Sequence, residues 1–240
     1  SIQSASSALT DFGLEGVEQA TEQNNRELVT FLGQFFTDVR TFSDTPPVQG
    51  VIRARDNDGI DPKSSDPFEV WVNRLTQIFA AAARNKEFYQ QLRYINENGD
   101  EMVRVDYKNG AVDLVSGTDR LQNKKSSSYF TGVQNMERGG VFISALNLNK
   151  EGGIVEVPHV PVLRFSTPVH DESGAFRGAI VSNVYAESFL GRLTTNTGSI
   201  MLATEDGSLA LHPDSDKKFG TDLGTKFTID TEFGEQHKLL

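Results

Sequence analysis

The stretch VPHVPVLRFSTPVHDESGAFRGAIVSNV, from Val157 to Val184, decides the fold of this 240-residue chain. Two runs of mainly apolar residues, 160–169 and 175–185, flank the turn sequence DESG. This pattern predicts a β-hairpin whose turn lies at residues 171–174. The stretch also contains two histidines, two arginines and two acidic residues. It could therefore hold an active site, a metal site or a surface that binds a ligand without changing it.

Composition excludes several classes of protein. The formal net charge of −10 argues against binding to duplex nucleic acid or to an anionic membrane face, because both require basic surfaces. The chain has no cysteine, which excludes disulfides, thiolate catalysis and zinc–thiolate sites. We find no run of about 18 apolar residues and no signal-peptide pattern at the start. A soluble fragment of a longer membrane protein would show the same features.

A long amphipathic helix is predicted near the start of the chain. Its apolar residues recur at spacings of three and four, which is typical of one helical stripe; they are Leu28, Phe31, Leu32, Phe35, Phe36, Val39 and Phe42. A weaker stripe extends the prediction over residues 3–42, about 60 Å at the usual rise. Two shorter helices broken near Gly13 and Gly16 are the alternative.

The remaining pattern predicts an α+β fold. After Pro46 and Pro47 we expect a short helix at 48–55 and a polar loop at 56–66 that lacks the ligand spacing of an EF-hand. A second helix then runs to about residue 86, with Asp66 as its N-cap. From residue 88 the apolar period becomes two. It predicts strands at 88–95, 101–107 and 140–146, a short helix at 126–136, a loop at 146–157 and the hairpin described above. This order predicts an antiparallel sheet with helices on one side.

A second hairpin resembles the first. Residues 92–104 (LRYINENGDEMVR) and 200–212 (IMLATEDGSLALH) both place Asn or Asp before a glycine between two apolar segments. Each hairpin follows a predicted helix, the second of them at 186–193. We therefore predict a second copy of the same module. Only about 40 residues remain for it, so the second module is small or truncated.

The chain lacks the sequence signatures of common enzymes. It has no nucleophile elbow, Walker loop, dinucleotide fingerprint or H-E-x-x-H motif. The four histidines, His159, His170, His212 and His237, do not show metal-ligand spacing. We therefore predict no catalytic residue, no metal and no cofactor, and we assign the histidines to turns and surfaces.

Polar side chains instead share one face of the predicted sheet. Alternation separates Arg164 and Ser166 from Phe165. The candidate ligand-binding residues on this face, or on the crossover segment 108–139 above it, are Arg164, Ser166, Asn183, Tyr129, Phe130, Ser144, Phe142 and Lys124. Arginine offers a fork for a carboxylate or phosphate, so the pattern predicts a polar pocket for a small anionic or zwitterionic molecule. An open, solvated face is the alternative.

Five segments carry a family resemblance. In chain order they are LRYINENGDEMVRVDY, LQNKKSSSYF, GGVFISALNLNKEGG, VPHVPVLRFSTPVHDESGAFRGAIVSN and LATEDGSLALHPD. Together they resemble the extracytoplasmic double Cache (PAS-like) sensor domain of bacterial transmembrane sensor histidine kinases. The resemblance implies an N-terminal signalling helix at 1–45, a membrane-distal Cache module at 46–193 that holds the ligand, and a partial membrane-proximal module at 194–240. The helix would pack on PAS-like antiparallel sheets.

The resemblance also bears on which ligand the site accepts. Amino-acid-binding members carry an arginine and an aromatic pair in the crossover and an aspartate on the last strand. This chain has the pair Tyr129–Phe130, but Ser127 stands in place of the arginine and Asn183 in place of the aspartate. An amide does not neutralise an ammonium ion as a carboxylate does, which puts an amino-acid ligand in doubt.

The resemblance thus implies a periplasmic ligand sensor. Its parent histidine kinase would be anchored in the inner membrane by flanking helices and would dimerise through the N-terminal helix. The alternatives are the same sensor on a diguanylate cyclase or chemoreceptor, and a protein-interaction or structural spacer without a small ligand.

Overall fold

The computed structural model describes residues 18–116, 119–191, 193 and 201–234. The predicted helix over residues 3–17, and the alternative breaks near Gly13 and Gly16, lie outside these residues. The helices are α1 (Glu18–Ser43), α2 (Pro46–Arg55), α3 (Phe68–Asn85), α4 (Ser128–Thr131), α5 (Glu187–Leu190), α6 (Gly220–Leu223) and α7 (Ile229–Phe233). A 3-10 turn occupies Ser215–Lys217.

The four long strands lie close to the segments that the period of two predicted. The strands are β1 (Tyr89–Asn96), β2 (Glu101–Lys108), β3 (Ala111–Val115), β4 (Phe142–Ile143), β5 (Asn147–Leu148), β6 (Lys150–Glu151), β7 (Ile154–Val155), β8 (Pro161–His170), β9 (Phe176–Tyr185), β10 (Leu202–Ala203) and β11 (Leu209–Leu211). The helices together with antiparallel pairing confirm the α+β prediction.

The chain divides into two compact units. One contains residues 35–144 and 164–184; the other contains residues 1–34, 145–163 and 185–240. We call the first the sheet unit, since its strands form a sheet in the order β3-β2-β1-β9-β8-β4. The neighbouring central strands pair antiparallel, with Arg93 opposite Val181 and Gln91 opposite Asn183. The linear boundaries predicted at residues 45 and 193 remain predictions.

The part of α1 that lies in the sheet unit, residues 35–43, packs its aromatic side chains on one face of this sheet. All seven predicted stripe residues are buried. Within the sheet unit, the ring of Phe35 lies 5.3 Å from that of Phe165 and 5.6 Å from that of Tyr89. Phe42 lies 5.5 Å from Phe79 of α3. Because Phe165 faces α1, its neighbours Arg164 and Ser166 face the opposite side.

The β8–β9 hairpin turns at Asp171, whose carboxylate organises the turn. Its Oδ1 accepts hydrogen bonds from the amides of Ser173 and Ala175, at 2.9 and 3.1 Å, and from the Ser173 hydroxyl. Its Oδ2 accepts from Arg177 at 3.1 Å. The Ser173 hydroxyl, together with Arg177 and these amides, outweighs burial and lowers the pKa of Asp171 to about 2.

We expect Asp171→Asn to lower the free energy of unfolding by about 1–2 kcal/mol at pH 7, after allowance for partial exposure. The folded-state pKa lies below the ordinary value of 3.8. The carboxylate's contribution is therefore complete above about pH 4 and is lost as the pH falls towards 2. Urea unfolding at pH 7, 4 and 2.5 should show the wild-type advantage shrinking. The exposed neighbour Glu172 provides the control Glu172→Gln, and a pH-independent Asp171→Asn effect would contradict this assignment.

The second unit has smaller elements. Asn147 and Leu148 of β5 pair with Val162 and Pro161, β6 pairs with β7, and β10 pairs with β11. Asp222 of α6 accepts a hydrogen bond from the amide of Leu148 at 2.8 Å and forms an ion pair with Lys150 at 2.9 Å. The predicted loop at 146–157 thus contains three short strands.

Three other local predictions need correction. Helix α3 begins at Phe68 with Pro67 as its N-cap; Asp66 does not cap it, because its carboxylate accepts a hydrogen bond from Arg74 at 2.7 Å. The helix predicted at 126–136 is the single turn α4, and the strand predicted at 140–146 is only β4. Beyond α4 the chain continues as hydrogen-bonded turns, and beyond β4 the Ser144 amide donates to the Arg164 carbonyl oxygen.

Candidate functional site

The face of the sheet opposite α1 carries a buried charged cluster. Strands β1, β2, β8 and β9 and the turn α4 supply its side chains. We define the arginine cluster as Arg93, Glu101, Tyr129, Arg164 and Asn183; all five are buried. The open, solvated face that the sequence left as an alternative is therefore wrong, since the crossover segment covers this side of the sheet.

Arg93 lies at the centre of the cluster. Its side chain is 2% exposed and contacts three others. Nη2 donates a hydrogen bond to Asn183 Oδ1 at 2.6 Å, and Nη1 donates to the Tyr129 hydroxyl at 3.2 Å and to Glu101 at 3.4 Å. Burial lowers the pKa of Arg93, but Tyr129 and Glu101 together raise it above its ordinary value. The buried guanidinium is charged, because an arginine side chain is not deprotonated in proteins.

A β-bulge next to the cluster aims two glutamines at Asn183. Tyr89 and Gln91 pair with the adjacent residues Val184 and Asn183, so Gln90 is an extra residue in β1. Asn183 Nδ2 donates to Gln90 Oε1 at 3.0 Å and to Gln91 Oε1 at 3.1 Å. Its Oδ1 faces Arg93, which has no acceptor atom. The bulge and the arginine together fix the orientation of the Asn183 amide.

Tyr129 is surrounded by positive charge. The guanidinium carbons of Arg93 and Arg164 lie 5.0 and 5.5 Å from the centre of its ring. Burial raises the pKa of Tyr129, but Arg93, Lys124 and Arg164, with a hydrogen bond from Ser127, lower it by more. The net pKa lies below its ordinary value, because these three cations stabilise the deprotonated hydroxyl.

The two predicted serines lie in the site, but their hydroxyls form hydrogen bonds with backbone groups. The Ser166 hydroxyl donates to the carbonyl oxygen of Tyr129 at 2.7 Å, which fastens the crossover turn α4 to β8. The Ser144 hydroxyl accepts from the amide of Arg164 at 3.1 Å. These contacts position Tyr129 and Arg164. Direct contact of either serine with a ligand stays a prediction.

The predicted aromatic residues form an apolar wall beside the cluster. Phe130 is fully buried with Ile95, Val133 and Val181, and Phe142 packs against this group. Phe142 pairs with Ser166 across the strands and lies over Gly132. Lys124 is half-buried and donates to Gln122 at 2.5 Å. All eight predicted residues thus lie in the sheet unit, although their binding role stays a prediction.

Sequence reasoning missed Arg93 and Glu101. Arg93 stands between Leu92 and Tyr94 in an apolar strand, the same signal that selected Arg164. Applied to β1, that signal would have found it. Glu101 gave no such signal, because it begins its strand after a polar turn. Its burial depends on Arg93, on Arg104 and on the amide of Gln122, which donates to it at 3.0 Å.

Within the described ranges, no three His, Asp or Glu side chains form a group that could hold a metal ion. Across those ranges, no helix combines the length and apolar character needed to cross a membrane.

Solved structures share this fold. The extracellular domain of vpHK1S-Z8, which is named as a histidine kinase, has a TM-score of 0.72 and 17% identity over 97% of this chain and 77% of its own. A domain of a sensory box/GGDEF family protein from Vibrio parahaemolyticus has the same TM-score and identity, covering 97% and 81%. The sensor domain of the V. cholerae histidine kinase DctB has a TM-score of 0.57 and 11% identity, covering 81% and 64%.

A family model identifies the chain more directly than these folds. No curated protein matches it. The model described as "Bacterial histidine kinase, sensor domain" matches residues 64–233, which is well over half of the chain and includes the whole arginine cluster. Extracellular sensor domains of histidine kinases and chemoreceptors with Cache-like folds share its architecture. The chain therefore belongs to the family of bacterial histidine kinase sensor domains, and it is a sensor domain rather than a catalytic one.

Proposed function

We propose that this chain senses a small anionic or zwitterionic molecule through the arginine cluster. The observation that carries the proposal is the buried, charged Arg93 beneath the crossover segment, together with Arg164 and Tyr129. Hydrogen bonds to Asn183, Tyr129 and Glu101 satisfy the Nη atoms of Arg93, but its buried Nε has no partner among the described residues, and an unpaired buried donor is costly. A binding site gives a reason for this cost that a structural spacer does not, so the spacer alternative is not favoured.

The proposed setting is a membrane receptor. In this proposal the chain is the periplasmic part of a histidine kinase, anchored in the inner membrane by flanking helices and dimeric through its N-terminal helix. The family match to histidine kinase sensor domains supports a kinase output over a cyclase or chemoreceptor output.

A route from the cluster to α1 supports signalling. Asn183 contacts Gln90 and Gln91 at the bulge, and Tyr89 on the other side of the bulge donates a hydrogen bond to Asp38 of α1. Lys86 also pairs with Asp38, at 2.6 Å. A ligand that binds one arrangement of the bulge more tightly would raise the population of that arrangement, and with it one position of Asp38. The difference in affinity between the two arrangements sets the size of this shift.

The test is a ligand screen with matched arginine variants. A library of small polar metabolites is screened by thermal shift, where a ligand at a hundred times its Kd should add about 2.7 kcal/mol of stability. Calorimetry then compares the wild type, Arg164→Ala and the control Arg74→Ala, whose side chain lies over Trp71 outside the site. We expect Arg164→Ala to weaken binding by about tenfold or more and Arg74→Ala to leave it unchanged. Equal affinity of all three proteins for the ligand would contradict the site assignment.

A further inference from the structure

On one edge of the Arg93 guanidinium, only one of the two nitrogens has a hydrogen-bond partner among the described residues. Nη2 donates to Asn183 Oδ1 at 2.6 Å, whereas Nε is buried with no hydrogen-bond partner among the described residues. These two nitrogens form an edge that the two oxygens of a carboxylate engage together. An amide has only one acceptor oxygen, so Asn183 leaves the edge incomplete. Unpaired buried donors are rare in folded proteins, and a ligand is one explanation for them.

The charges around that edge favour an anion over a cation. Arg93, Lys124 and Arg164 all act on Tyr129 with positive charge. Glu101 is the carboxylate of the arginine cluster, and its oxygens lie 3.4 Å from Arg93 and 3.8 Å from Arg104. An incoming ammonium group would meet positive charge and a carboxylate already shared by two arginines. An incoming carboxylate would meet attraction from the same groups.

Asn183 has a specific effect in this arrangement. An aspartate at this position could engage both Nε and Nη2 of Arg93 and complete the edge from within the protein. The neutral amide instead fixes the guanidinium through one hydrogen bond and adds no negative charge beside it. Asn183 is thus suited to be the residue that determines which ligands the site accepts.

We propose that the arginine cluster recognises a small carboxylate that carries no ammonium group, with the Nε–Nη2 edge of Arg93 as its fork and Asn183 as the specificity-determining residue. This inference rests on the proposed sensing function and narrows it to one class of ligand. The apolar wall at Phe130 and Phe142 suits a short hydrocarbon body attached to that carboxylate.

The experiment uses pairs of acids that differ by one amino group. Calorimetry measures the binding of succinate against aspartate and of propionate against alanine, with inorganic phosphate as the anion that is not a carboxylate. The variants are Asn183→Asp, which completes the edge internally, and Asn98→Asp, which makes the same change at an exposed position in the β1–β2 turn. Circular dichroism establishes that each variant is folded.

We expect at least one acid to bind about tenfold or more tightly than its α-amino partner. We also expect Asn183→Asp to reduce that affinity by a similar factor, while Asn98→Asp preserves it. Tighter binding of the amino acid, binding of phosphate alone, or unchanged affinity in Asn183→Asp would each overturn the inference. So would the absence of binding by every probe. The sensing function itself fails only if the metabolite library also yields no ligand that depends on Arg164.

Discussion

Replacing Phe35 with alanine is expected to lower the free energy of unfolding by about 3–5 kcal/mol. Phe35 is fully buried and packs against Phe88, Tyr89 and Phe165, at ring separations of 6.3, 5.6 and 5.3 Å. Removing its ring leaves a cavity between α1 and the central strands. The loss includes both the transfer free energy of the ring and the contacts of the surrounding aromatic residues.

Urea unfolding monitored by circular dichroism measures this loss. Leu114→Ala is the matched control, since Leu114 on the outer strand β3 is 42% exposed and should cost far less. A Phe35→Ala protein as stable as Leu114→Ala would mean that α1 does not depend on this contact. The proposed route from the sheet to the helix would then lose its structural basis.

Replacing Arg93 with methionine is expected to lower the free energy of unfolding by about 3–5 kcal/mol, because breaking this buried ion pair leaves Glu101 charged with only the more distant Arg104, at 3.8 Å, as its ion-pair partner. The methionine fills much of the same volume, so the effect reports on charge and hydrogen bonding more than on packing. Glu101 would lose its contact with Arg93, and Tyr129 and Asn183 would each lose a donor.

Two further variants isolate the charge effect. Arg120→Met removes an exposed arginine paired with the exposed Asp113 and should leave stability unchanged. The double variant Arg93→Met/Glu101→Gln removes the stranded charge and should recover part of the loss, which a double-mutant cycle quantifies. If Arg93→Met were as stable as Arg120→Met, Arg93 would not be the electrostatic centre of the site.

Local sequence signals predicted the elements that depend on neighbouring residues. The period of 3.6 in α1 identified Phe35 and Phe42, and the DESG turn identified the β8–β9 hairpin. Alternation along β8 placed Arg164 and Ser166 on one face. Each of these features follows from the geometry of a single helix, strand or turn.

Features that depend on distant contacts were not predictable in this way. The bulge inserts Gln90 into β1, so that Gln90 and Gln91 both contact Asn183, although alternation would place them on opposite faces. The crossover turn is fastened by Ser166 to Tyr129, 37 residues away in the chain. The importance of Asn183 was visible in the sequence, but its contact with Arg93 became apparent only from the pairing of β1 with β9.

The most direct test of the account is a crystal structure of the chain with the small molecule that most raises its melting temperature in the library screen. We predict that the ligand lies between the sheet and the crossover segment, within hydrogen-bonding distance of Arg93 and Arg164, with the Arg93 Nε donating to it. A ligand bound elsewhere, with neither arginine in contact, would contradict the account.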